Sequence, residues 1–114
     1  MLIQDLVVIL DEMMSESIEQ HGDRAGVYPQ SKVEKLSVYL DQKFLWSKHG
    51  CFELIAARNV LTHNGGKWNE QSIAIVAPFL TTPPSQGEKL SVGVPMLFRY
   101  RKAMRTFLNE TQVR

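Results

Sequence analysis

Residues 52–66, FELIAARNVLTHNGG, constrain the fold more than any other stretch. On a helix turning about 100° per residue, Leu54, Ala57 and Leu61 take one side, with Cys51, Ile55 and Thr62 beside them. Phe52 and Ala56 fall nearly opposite. A helix that is apolar almost all round must be buried among several others or lie at a subunit interface. This one nevertheless carries Arg58, Asn59 and His63, with Glu53 and Arg58 as its only charged residues. It is expected to run from Cys51 or Phe52 to Thr62 or His63. Asn64, Gly65 and Gly66 follow as a stop able to take the left-handed conformation.

The remaining chain supplies helices to cover it. Residues 2–20 place Leu2, Leu6, Ile9, Leu10, Met13 and Ile18 at helical spacing, with Gly22 as the C-terminal cap. Residues 26–30, with Pro29, read as a loop. Ser31 and Glu34 match a capping box. The second helix then runs to about Ser47 on a stripe of Val33, Leu36, Leu40 and Phe44, and Gly50 marks its stop. Asn69 caps a short helix ending before Pro78, although the β-branched run at 73–76 also permits a strand. Residues 81–87 form a loop, and 89–92 are briefly extended. Pro95 suits the first turn of a last helix, whose apolar face is Leu97, Tyr100, Met104, Phe107 and Leu108. The tail after Asn109 is expected to fray.

The fold class expected is therefore all-α: a small up-and-down bundle of four to five helices, with a short irregular or extended segment before the last. One domain spans 1–114. It comprises an N-terminal helix and loop (1–30), a helical hairpin with the Arg58–His63 motif (31–66), and a linker and C-terminal helix (67–114). Apolar residues make up 44% of the chain and charged ones 22%, a balance that folds around one core. The single cysteine, Cys51, permits no intrachain disulfide and points to a reducing cytoplasm. The start lacks a cationic leader, and the longest apolar run, 73–80, is too short to span a bilayer. A cytoplasmic protein without a membrane partner is expected.

The net charge of +1 is unevenly spread. Asp5, Asp11, Glu12, Glu16, Glu19 and Asp23 precede the first Lys or Arg, whereas Arg99, Arg101, Lys102 and Arg105 sit together without an acid. The basic cluster suits an RNA backbone or, equally, a solvated helix face.

Arg58 and His63 are separated by about 7.5 Å along a helix and about 140° around it. Both can reach one groove, with Asn59 on the His63 face. The set suits phosphodiester chemistry without a metal. An imidazole moves protons, a guanidinium holds phosphate oxygens, and an amide orients either. The bland alternative pairs Arg58 with Glu53 or an acid of the first helix, and leaves His63 to cap its own helix. His49, Cys51 and His63 offer at most three zinc ligands at a spacing that matches no common structural site. Trp46 and Trp68 flank the helix and suit packing or, less simply, base stacking.

The segment from Glu53 to Gly66 resembles the signature of HEPN domains (higher eukaryotes and prokaryotes nucleotide-binding). There an Arg and a polar residue precede a His by a few positions, and Asn-Gly often follows. The layout from residue 31 to 110 is also similar, although only 53–66 are specific. The resemblance implies a helical bundle that dimerises through the motif-bearing helix, and a metal-independent endoribonuclease that needs no cofactor. Attack of a ribose 2′-OH on the adjacent phosphate would leave a 2′,3′-cyclic phosphate. His63 would then be the acid/base, Arg58 the group that holds the phosphate and its transition state, Asn59 the polar helper and Glu53 a support for Arg58. Toxin–antitoxin, phage-defence or RNA-processing roles follow, with an antitoxin as a possible partner. The alternative is a non-catalytic HEPN-like module for dimerisation or partner binding, or a fragment of a larger protein.

Overall fold

The computed structural model describes residues 3–63 and 65–113. They form a small all-α bundle. Its helices are α1 (Ile3–Gln20), α2 (Pro29–Ser37), α3 (Leu45–His63), α4 (Glu70–Val76) and α5 (Val94–Glu110), with a 3-10 turn over Gln42–Phe44. None of these helices is long and apolar enough to cross a membrane.

The helix with the motif is the centre of the bundle. α3 packs against α1, α2, α4 and α5. Cys51, Leu54, Ile55, Ala56, Ala57 and Val60 are buried around its circumference. The apolar surface on every side is thus covered within one chain. Each large aliphatic side chain so buried contributes about 1.5–3 kcal/mol of transfer free energy. The final turn leaves the bundle, where Leu61, Thr62 and His63 are exposed, and Trp46 is exposed in the first turn.

α3 starts six residues before Cys51, and Gly50 lies inside it rather than at a stop. A Cβ at Gly50 would stand 2.4 Å from Ala103 Cβ of α5, so the missing side chain is what lets the two helices meet. The expected second helix is correspondingly divided. α2 ends at Ser37, and Asp41 then caps the 3-10 turn by accepting from the Lys43 N–H at 3.1 Å. Val33 and Leu36 face the core as the stripe requires, while Leu40 and Phe44 are half-buried beyond the break. The capping box does not form. Pro29 opens α2, Tyr28 is its N-cap without a side-chain hydrogen bond, and Ser31 lies within the first turn. Proline's fixed φ favours that first position, and here it outweighs the Ser–Glu pattern.

α1 buries Ile3, Leu6, Val7, Leu10, Met14 and Ile18. Leu2 lies outside the described residues, and Met13, expected in the stripe, is exposed where Met14 is buried. Gly22 takes a φ of 84° as the left-handed cap. Asp11 and Lys32 join α1 to α2 at 2.7 Å, with the Lys32 side chain only 5% exposed. Such a cation tolerates burial because it is paired. Asn69 caps α4 by accepting from the Ser72 N–H at 2.9 Å, which settles residues 70–76 as helix.

The connection from α4 to α5 folds back on the bundle. Phe79 stacks on His49, with ring centroids 4.3 Å apart. A single antiparallel bridge joins Lys67 to Lys89, and Trp68 exchanges backbone hydrogen bonds with Gly87 and Glu88. Pro95 lies in the first turn of α5, and Tyr100, Met104, Phe107 and Leu108 are buried as expected. The end of α5 does not fray at Asn109. Thr111 is fully buried, and its carbonyl accepts a hydrogen bond from His21 Nε2 at 2.7 Å.

Candidate active site

Three elements surround one cleft of about 480 Å³. The last turns of α3 contribute Ile55, Arg58, Asn59 and His63. The start of α2 contributes residues 28–31, and the start of α4 contributes Asn69, Gln71 and Ser72. Arg58, Asn59 and His63 therefore meet in one space, despite the turn of helix between Arg58 and His63. No carboxylate lines the cleft among the described residues, and its charged side chains are Arg58 and, when protonated, His63.

The local hydrogen bonding leaves the reactive groups available. Arg58 Nε donates to Asn59 Oδ1 at 3.1 Å, fixing the base of the guanidinium. Among the described residues its two terminal nitrogens have no hydrogen-bond or ion-pair partner. Two such nitrogens can hold two oxygens of an anion in the fork geometry that arginine favours. Among the described residues only the oxygen of the Asn59 amide is engaged, which leaves its N–H groups for a ligand. Gln30 and Ser31 stand in the first turn of α2, where backbone N–H groups lack intrahelical acceptors, and Tyr28 adds no side-chain cap. The partial positive charge there has the same sign as Arg58.

Glu53 is not brought to Arg58. It lies a turn and a half earlier and pairs with Arg99 of α5 at 3.5 Å. Burial pushes its carboxyl above the usual range, with the Arg99 charge opposing. A supporting role beside Arg58 is thereby replaced by a link between α3 and α5. Arg58 in turn contacts no acid, so the structural pairing considered for it does not occur among the described residues.

The basic residues of α5 lie elsewhere. Arg99, Arg101, Lys102 and Arg105 are exposed, and none lines the cleft. Arg101, Lys102 and Arg105 border a separate surface hollow with Phe98, Thr106 and Asn109. Lys102 Nζ also sits 5.7 Å from the centre of the Trp46 ring.

The zinc alternative fails on distance. His49 and His63 lie on the same helix, roughly 21 Å apart along its axis. Cys51 is fully buried, and burial pushes its thiol far above its ordinary range. No group of three or more metal-ligating side chains occurs among the described residues. The Asn64 position of the expected stop lies outside them, while Gly65 and Gly66 take φ values of 59° and 82°.

Sequence reasoning missed the walls supplied by α2 and α4. Tyr28, Gln30 and Gln71 carry no periodic or motif signal, and only the tertiary fold brings them to α3. Comparisons with models of protein families, with curated proteins and with solved structures found no match to this chain.

Proposed function

We propose that the protein is a metal-independent endoribonuclease of the HEPN type. One observation carries this proposal: Arg58, Asn59 and His63 line a single open cleft that no carboxylate lines among the described residues. An acid-free pocket with an uncommitted guanidinium favours an anion, and a neighbouring imidazole adds proton transfer.

In the reaction a ribose 2′-oxygen attacks the adjacent phosphorus. The O2′–P bond forms, the P–O5′ bond breaks, and a 2′,3′-cyclic phosphate and a free 5′-hydroxyl result. Arg58 holds the non-bridging oxygens and stabilises the charge that grows on them in the pentacoordinate transition state. Asn59 steadies Arg58 through its oxygen and offers its amide protons to the phosphate. His63 takes the proton from the 2′-hydroxyl or returns one to the leaving 5′-oxygen. A homodimer through the exposed end of α3, where Leu61 is 46% exposed, would bring a second His63 to share these two tasks. Growth control by a toxin and its antitoxin, phage defence or RNA processing are the settings such an activity serves.

The test is cleavage of end-labelled single-stranded RNA in EDTA, with product ends identified as 2′,3′-cyclic phosphate. Replacing the imidazole is expected to lower the rate about 10²–10⁴-fold. His63→Ala and Arg58→Ala should each abolish detectable cleavage while leaving the urea unfolding midpoint in place. Cleavage that survives both substitutions would sink the proposal.

A further inference from the structure

Tyr28 stands at the rim of the cleft, yet the proposed chemistry gives it no task. The residue is 72% exposed. It is the N-cap residue of α2, but its side chain makes no capping hydrogen bond. Its backbone is extended, with φ −88° and ψ 126°, the conformation that a following proline enforces. The ring is therefore mounted on a stiff Tyr28–Pro29 step and lines the same space as Arg58 and His63. A large aromatic left in water beside an anion-binding cleft, with no part in the core or a cap, is available to a ligand.

We infer that Tyr28 is the stacking platform of a nucleobase subsite, and that the cleft takes an unpaired ribonucleotide whose phosphate rests on Arg58. This inference rests on the ribonuclease proposal for the phosphate half of the site. A flat aromatic ring accepts the face of any base, and each such stack contributes about 1–3 kcal/mol to single-strand binding. Bases within a duplex have both faces covered by their neighbours, so the platform selects single-stranded segments, loops and ends over helices. The cleft's 480 Å³ falls within the roughly 300–1,000 Å³ of small-ligand sites. That is room for one splayed nucleotide at a time. Loose stacking of this kind reads little sequence, so specificity would come from which RNA is unpaired.

The experiment separates this subsite from the cleavage chemistry. A fluorescein-labelled single-stranded oligonucleotide with 2′-fluoro sugars has no attacking hydroxyl and reports binding alone. Its affinity is measured by anisotropy in EDTA for the wild type and for Tyr28→Ala, Tyr28→Phe and Val27→Ala. Tyr28→Ala should weaken binding roughly 5- to 150-fold, the worth of one stacked base. Tyr28→Phe should keep wild-type affinity, since the ring is retained. Val27→Ala, an equally exposed neighbour outside the cleft lining, should change nothing. A duplex of the same sequence should bind all four proteins weakly and alike. Wild-type affinity in Tyr28→Ala, or no single-strand binding by the wild type, overturns the subsite. Cleavage of unmodified RNA judges the other half independently. If RNA is cut but Tyr28→Ala binds normally, the subsite falls and the ribonuclease stands. If binding depends on Tyr28 but nothing is cut, the ribonuclease falls and the subsite stands.

Discussion

Gly50→Ala is a perturbation whose sign depends on a single contact. In an exposed helix interior this change would stabilise by about 0.8–1.0 kcal/mol, because alanine gives up less backbone entropy than glycine. Here the new Cβ would lie 2.4 Å from Ala103 Cβ, whereas ordinary contact begins at 3.4 Å. The shortfall is 3.4 − 2.4 = 1.0 Å at the least. Both methyl carbons are fixed to helical backbones, so no rotamer change relieves the clash. α3 and α5 must part, loosening the packing of Tyr100, Met104 and Phe107. Overpacking of this kind costs about 1–3 kcal/mol. After the propensity gain is set against it, a net loss of up to about 2 kcal/mol is expected. For a domain near this size each kcal/mol lowers Tm by about 4–8 °C. Urea unfolding followed by circular dichroism should show a lower midpoint with an unchanged slope. The decisive sample is Gly50→Ala/Ala103→Gly, which moves one methyl across the seam. Volume is conserved and the two propensity changes cancel, so the double variant should return to within about 1 kcal/mol of wild type. Ala103→Gly alone loses helix propensity and a buried methyl, so the two single losses should not add. A Gly50→Ala protein more stable than wild type, or additive effects across the pair, would refute the close approach as the reason for glycine.

Two further expectations concern pH. Glu53 has its pKa raised by burial, with Arg99 opposing, so its contribution to stability is full below the ordinary value of 4.5 and lost as pH rises through the folded value. Glu53→Gln should match or exceed wild-type stability at pH 7 and flatten the profile between there and the carboxyl range. A clear loss of stability at pH 7 would mean that the Arg99 pair outweighs burial. His49 has its pKa lowered, first by burial and then by the Lys48 charge. Its contribution is present above the ordinary value of 6.5 and lost as pH falls through the folded value. His49→Phe keeps the stack on Phe79 and should narrow the gap between urea midpoints at pH 7.5 and 5.5. An unchanged gap would show that His49 is not the group responsible.

The features legible in the sequence were those whose cause is local. Gly22 and Asn69 each act within one turn of their own helix, and Pro95 does the same at the start of α5. Their letters carry their structural meaning. Gly50 was illegible because glycine has two meanings, a chain that must turn and a neighbour that must come close. Only Ala103, far along the chain, decides between them. The Ser31–Glu34 pattern misled because Pro29 starts the helix two residues earlier and leaves Ser31 no cap to make. Reading Gly50 as a stop lengthened the second helix and shortened the third, and so hid the true length of the central one.

That length accounts for the cleft. α3 has 19 residues, against nine in α2 and seven in α4. At about 1.5 Å per residue it runs roughly 28 Å, more than twice the length of either. Short helices cannot cover a long one to its end. At the final turns of α3 the cleft is lined by the first residues of α2 and α4, Tyr28 to Ser31 and Asn69, Gln71 and Ser72. Those residues begin helices, so they bring unpaired N–H groups, caps and exposed polar side chains rather than apolar stripes. The apolar character of α3 therefore gives way to Arg58, Asn59 and His63 where its cover changes from helix flanks to helix starts. Burying aliphatic groups against those starts would strand backbone donors without acceptors. Polar side chains with spare hydrogen-bonding capacity suit the same place, and so does an anionic ligand. A long helix crossed by two short ones leaves a polar notch at its end, and in this chain the notch holds the Arg58–Asn59–His63 group.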